Sequence, residues 1–127
     1  MSALPNPVGW FEIYVADMAR AQRFYEAVFQ RPLAPLAPPG ADYEMLAFAM
    51  DGQGPGASGA LVRHPMKGPA DGGTLVYFSC ADCATECARV LQHGGTVHQP
   101  KHSIGPFGFI AIVGDSEGNV IGLHSVA

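Results

Sequence analysis

A chain of 127 residues with 48% hydrophobic and only 14% charged residues can bury a core of its own and is too apolar to stay disordered. Its net charge of −4, with seven Lys and Arg scattered along the sequence, excludes a nucleic-acid surface, which needs clustered cations. The most apolar uninterrupted run, FIAIV, falls far short of the roughly 20 residues that span a bilayer, so no membrane segment is expected.

The opening MSALPNPVGW has neither the basic nor the apolar region of a signal peptide. From Gly9, GWFEIYVADMARAQRFYEAVF begins as a strand of aromatic and β-branched residues. Asp17 then offers its carboxylate to the open N–H groups of a following helix. Ala21, Tyr25 and Val28 recur at helical spacing, and Pro32 stops the element. Short strands are expected at 31–36, 43–50 and 59–63, separated by the turn-rich PLAPPGA and DGQGPGAS. HPMKGPADGG, residues 64–73, is a Pro/Gly-rich connector.

The opening design then returns at a shift of 65 residues as TLVYFSCADCATECARVLQHG, from Thr74. Trp10 falls on Leu75, Glu12 on Tyr77 and Asp17 on Asp82. Cys83, Cys87, Val90 and Leu91 form the stripe of a second helix, and Gly94-Gly95 supplies its left-handed cap. Strands follow at 96–101, 107–114 and 119–126, the last two joined by the DSEG turn. Each half therefore reads β-α-β-β-β. Two copies make a duplicated module, too few for a solenoid. The expected fold is α+β: a single domain over 1–127, with module 1 at 8–63 and module 2 at 74–127. Its two sheets would form a curved, partly open, eight-stranded mixed sheet around a cleft.

All three cysteines lie in CADCATEC, residues 80–87. Their repeat counterparts are Val15, Met18 and Gln22, two of them plain apolar residues. An iron–sulfur cluster usually takes four thiolates, and a zinc site would have to borrow His93 from the far end of the helix. Small buried hydrophobes are the expected role, with Cys83, in the first helical turn, as a weak redox candidate. An odd number of clustered cysteines suits a reduced compartment, and a cytoplasmic location is expected. His93 itself suits a helix C-terminus.

Paired β-α-β-β-β modules, each opening with strand, V-x-D or its counterpart, and helix, resemble the vicinal oxygen chelate superfamily of glyoxalases, bleomycin-resistance proteins and extradiol dioxygenases. WFEIYVADMARAQRFYEAVF, GALVRHP, GTLVYFS and QPKHSIGPFGFIAIVGDSEGNVIGLHS carry the resemblance, which extends to its bacterial group related to lactoylglutathione lyase. The resemblance implies a homodimer whose clefts take modules from both subunits. It also implies four metal-ligand positions, of which three fall on Trp10, Leu75 and Gly122 and the fourth within 59–62. None offers a ligand side chain, which argues against glyoxalase I activity and for a protein without the usual metal.

Two strand residues lie two steps beyond those positions and therefore on the same faces. Glu12 follows Trp10, and His124 follows Gly122. A carboxylate in mid-strand needs a partner. Three readings stay open: Glu12 pairs with Arg63 or a tyrosine while His124 caps the sheet; Glu12 and His124 form a metal-free acid–base pair; or they hold a displaced Zn, Ni, Mn or Fe, with His64, His98 or His102 completing the set. Trp10, Tyr14, Tyr77 and Ser79 should share the inner face, where Tyr77 and His124 would hold a substrate. The Gly/Pro loop 102–108, beside a strand carrying Phe107 and Phe109, has the composition of a cleft lid. Such walls suit a small aromatic or carbonyl-containing ligand. The function is then a metal-independent lyase or isomerase, with a non-catalytic antibiotic- or metabolite-sequestering protein and a metal-dependent lyase or dioxygenase as alternatives.

Overall fold

Asp17 and Asp82 determine where the two helices begin. In the computed structural model, which describes residues 6–69 and 72–127, the Asp17 carboxylate accepts the Arg20 backbone N–H at 3.1 Å and the Asp82 carboxylate that of Ala84 at 3.0 Å. Each satisfies a donor that the first helical turn leaves open. The N-terminal reading over 1–5 and connector positions 70 and 71 lie outside the described residues.

The chain forms two compact units, one spanning 10–74 and the other 75–127 with the described residues before Trp10. In the first, β1 (Val8–Tyr14) leads into α1 (Met18–Phe29), then β2 (Leu33–Pro35), β3 (Glu44–Phe48) and β4 (Ser58–Arg63). The sheet order is β2-β3-β4-β1, with β1 parallel to β4 and the other pairs antiparallel. In the second, β5 (Thr74–Ser79), α2 (Cys83–Gln92), β6 (Thr96–Ser103), β7 (Phe109–Gly114) and β8 (Val120–Ser125) repeat the plan in the order β5-β8-β7-β6. Here β5 is parallel to β8. The α+β class and both β-α-β-β-β modules are therefore present.

Each module buries one helix on one face of its sheet. In the first, Val15, Met18, Leu33, Leu46 and Leu61 form the core, joined by Ile13, Ala21, Tyr25 and Phe48. In the second, Cys83, Ala111, Val113 and Leu123 do so, joined by Phe78, Cys80, Cys87, Val90 and Phe109. Two residues of the expected helical stripes lie elsewhere: Val28 is 56% and Leu91 61% exposed. Both lie in the last turn of their helix. The helix ends also differ. α1 closes on Gln30, held left-handed at φ 53°, whereas after α2 the left-handed residue is Gly94 at φ 90°, where no Cβ opposes the turn.

The cysteines pack as small hydrophobes. Cys83 is fully buried, and all three are free thiols. Burial, with the charge of Glu86 next, pushes the Cys80 thiol up to about 11. Cys87 is also raised, first by burial. The redox expectation for Cys83 is corrected, because a thiol with no exposed surface offers no attacking sulfur. Among the described residues no helix is long and apolar enough to cross a membrane.

Candidate functional site

Period-two alternation along β1 separates its side chains into two sets. Phe11 and Ile13 turn toward α1, where Ile13 joins the core and Phe11 meets Phe48. Trp10, Glu12 and Tyr14 take the opposite face, and there they bond to one another. The Trp10 indole Nε1–H donates to Glu12 Oε2 at 3.2 Å, and the Tyr14 hydroxyl donates to Glu12 Oε1 at 3.0 Å. Glu12 is 9% exposed and Tyr14 6%. A carboxylate this enclosed is costly unless donors hold both oxygens, and the residues two before and two after it supply them.

The surroundings reinforce this arrangement. Burial, then the charge of Glu12, then its hydrogen bond raise the Tyr14 phenol well above its ordinary value, so it remains a neutral donor. Tyr43 is raised by burial and then by the charges of Glu12 and Asp42. The Lys67 ammonium lies 5.2 Å from the centre of the Tyr14 ring, a cation on the electron-rich face. Tyr43 and Lys67 were not anticipated from sequence, since one follows a turn and the other lies in the connector, where no periodicity assigns a face. Arg63, weighed as a partner for Glu12, pairs instead with Glu44, its cross-strand neighbour, at 3.1 Å.

The second module arranges its candidates differently. His124 Nε2 lies 2.6 Å from the Phe107 carbonyl. A carbonyl can only accept, so Nε2 carries the proton. Tyr77 is 6% exposed, and its ring covers Gly122, its register partner on β8, closely enough that any Cβ there would collide with it. Ser79 is exposed beside Gly9, where an added Cβ would come within 2.5 Å of its hydroxyl.

The strand expected at 107–114 is corrected at its start. Phe107 is not on a strand: it ends a 3-10 turn, Gly105–Phe107, and is 53% exposed. Phe109 packs into the α2 core beneath the Lys101 ammonium, 4.7 Å from its ring centre, while His124, which faces Ile110 across β7 and β8, alternates to the other side. The Gly/Pro loop at 102–108 is bonded within itself. The Ile104 N–H bonds to the Gly108 carbonyl, the Gly108 N–H to that of Gly105, and the Gly105 N–H to the Ser103 hydroxyl. Gly105 and Gly108 hold φ of 73° and 102°, so the glycines shape a bonded turn.

The metal that the resemblance implies finds no fitting donors at its usual positions. Trp10 offers an N–H, Leu75 is 3% exposed, Gly122 lies under the Tyr77 ring, and Gly59, Ala60, Leu61 and Val62 are buried apolar residues. The histidines named for a displaced site are not gathered either: among the described residues, no three His, Cys, Asp or Glu side chains come together in a metal-binding group. His64 Nδ1 accepts the Met66 N–H, and His102 Nδ1 bonds to the Pro100 carbonyl.

Paired β-α-β-β-β modules and these first-strand positions define a glyoxalase-type fold. The profile of the glyoxalase/bleomycin resistance protein/dioxygenase superfamily matches residues 8–123, and the chain belongs to that superfamily. Among solved structures it is similar to a Streptomyces coelicolor methylmalonyl-CoA epimerase variant in complex with 2-nitronate-propionyl-CoA, with a TM-score of 0.71 and 16% identity over 98% of this chain and 99% of that one. The methylmalonyl-CoA epimerase of Mycobacterium tuberculosis gives 0.67 and 18% over 100% and 93%. A hypothetical protein of Bacillus halodurans gives 0.70 and 10% over 93% and 92%. At these identities the likeness is one of fold. Curated proteins gave no match.

Proposed function

We propose that the protein binds a small aromatic or carbonyl-containing molecule against the Trp10–Glu12–Tyr14 face of β1 and transforms it by proton transfer at Glu12, as a lyase or isomerase that does not use the superfamily's usual metal positions. One observation carries this reading: a nearly buried carboxylate held at both oxygens by an indole and a phenol. Fixing the carboxylate in one orientation is what proton transfer to or from a bound carbon acid needs. Trp10 supplies a flat apolar surface for a planar ligand. The similar structures, one bound to 2-nitronate-propionyl-CoA, support carbonyl compounds as the class to try first.

Screening metabolites and antibiotics by thermal shift identifies ligands, and each stabilising compound is then checked for conversion. Glu12→Gln should keep the fold and hold affinity within a few-fold while lowering turnover by about 10²–10⁴. Unchanged turnover would remove Glu12 from the chemistry. The second reading, sequestration without conversion, is favoured by the occupation of both Glu12 oxygens, which suits a fixed anchor as well as a base. It predicts tight ligands that emerge unchanged. Stoichiometric Zn, Ni, Mn or Fe, removable by chelator and required for activity, would instead favour the metal-dependent alternative. We also take the protein to be a cytoplasmic homodimer, in keeping with superfamily habit and three free thiols.

A further inference from the structure

The other face of β1 holds a second arrangement, independent of Glu12. Near the C-terminal end of α1 the rings of Phe11, Tyr25, Phe29 and Phe48 border a cavity of about 680 Å³, within the range of small-molecule sites. The rings brace one another. Phe48 lies 6.1 Å from Phe11 and 6.1 Å from Tyr25, meeting the latter edge-on, and Tyr25 stacks on Phe29 at 6.0 Å with 21° between planes. Gly59 makes room for this wall, since a Cβ there would come 2.7 Å from the Phe11 ring.

Two charged residues share the lining, Arg31 and Asp51. Asp51 is engaged in its own turn, its carboxylate accepting the Gln53 N–H at 2.9 Å and its carbonyl the Gly54 N–H. Arg31 is exposed, and among the described residues it makes no ion pair. Phe29, at the same place, leaves 57% of its surface in solvent, an expensive exposure for a ring.

We propose that this cavity is a second ligand site, for a planar aromatic carboxylate whose ring lies among Phe11, Phe29 and Phe48 and whose carboxylate is taken by Arg31. Aromatic walls bind a flat ring in stacked or edge-on geometry. A guanidinium receives a carboxylate through paired N–H donors, which an ammonium or an amide cannot reproduce. The site lies on the face of β1 opposite Glu12.

The test titrates 2-naphthoate and its neutral analogue 2-naphthamide by calorimetry against the whole protein and three variants. Arg31→Gln should weaken 2-naphthoate by about tenfold and leave 2-naphthamide unchanged. Phe29→Ala, at an exposed position that keeps the fold intact, should weaken both. Glu12→Gln should alter neither, which separates this site from the proposed catalytic face. No saturable binding, equal loss of both probes in Arg31→Gln, or loss of binding in Glu12→Gln would each overturn the proposal. So would dissociation of a dimer in Phe29→Ala, which would assign the rings to a contact with a second copy of the chain.

Discussion

Glu12 stands at the middle of β1; sixty-five residues later, at the middle of β5, stands Tyr77. Both strands run parallel to the last strand of their own module, and both precede an Asp-capped helix. Their neighbours differ. Trp10 and Tyr14 flank Glu12 on its face and donate to it, whereas Leu75 and Ser79 flank Tyr77. Opposite Glu12 on the partner strand is Ala60; opposite Tyr77 is Gly122, reduced to hydrogen to admit the ring. One scaffold position thus tolerates a charge where the strand supplies its own donors, and otherwise becomes packing. The first module holds a carboxylate at this place and the second fills it with a ring.

The sharpest way to break this contrast is to place a carboxylate in the second module. Tyr77→Glu should cost about 3–5 kcal/mol, the penalty of a buried charge lacking compensation, measured by urea unfolding; wild-type stability would mean β5 can hold a charge as β1 does. Gly122→Ala comes next. Its methyl must displace the Tyr77 ring, at about 1–3 kcal/mol, and no loss would show the ring has somewhere else to go.

Tyr14→Phe sharpens the same comparison through pH. The folded protein holds the Tyr14 proton more tightly than the unfolded chain, whose phenol titrates near 10. That share of stability is whole below pH 10 and lost as pH rises toward the folded value. The variant should lack this part of the alkaline slope while keeping the part due to Cys80, which begins near pH 9. Unfolding midpoints through the alkaline range check both. The smallest effect belongs to Lys101→Met. The Lys101 ammonium, 2.8 Å from the Asp82 carboxylate, holds that acid below its ordinary 3.8, so the slight loss of stability at neutral pH should vanish as Asp82 is protonated below pH 3.8.

How much of this could be read from the sequence depends on how local each feature is. The repeat, both Asp caps and the common face of Trp10, Glu12 and Tyr14 follow from two-residue and helical spacing within single elements, and all were legible. The strand expected at 31–36 contracted to Leu33–Pro35, an edge strand where prolines lacking N–H groups limit the ladder. Phe107 and Phe109 were read as one strand, but the backbone turns between them at Gly108, a residue pressed against the Ser125 carbonyl. Features assembled from distant segments were not legible: Lys67 over Tyr14, Tyr43 within the field of Glu12, and the cavity that gathers Phe11, Phe29 and Phe48 around Arg31. None of these follows a period along the chain.

The parallel pairing of β1 with β4 has a kinetic consequence. Trp10 aligns with Ser58 and Glu12 with Ala60, so the first strand of the module waits for its last, across a loop whose closure entropy must be met before any pairing contact forms. The three side chains that make the clamp are near neighbours in sequence, yet they line up only on an extended strand. Pairing of β1 with β4 therefore comes late in assembly of the module, and a ligand selective for the Trp10–Glu12–Tyr14 face would report how far the module has matured.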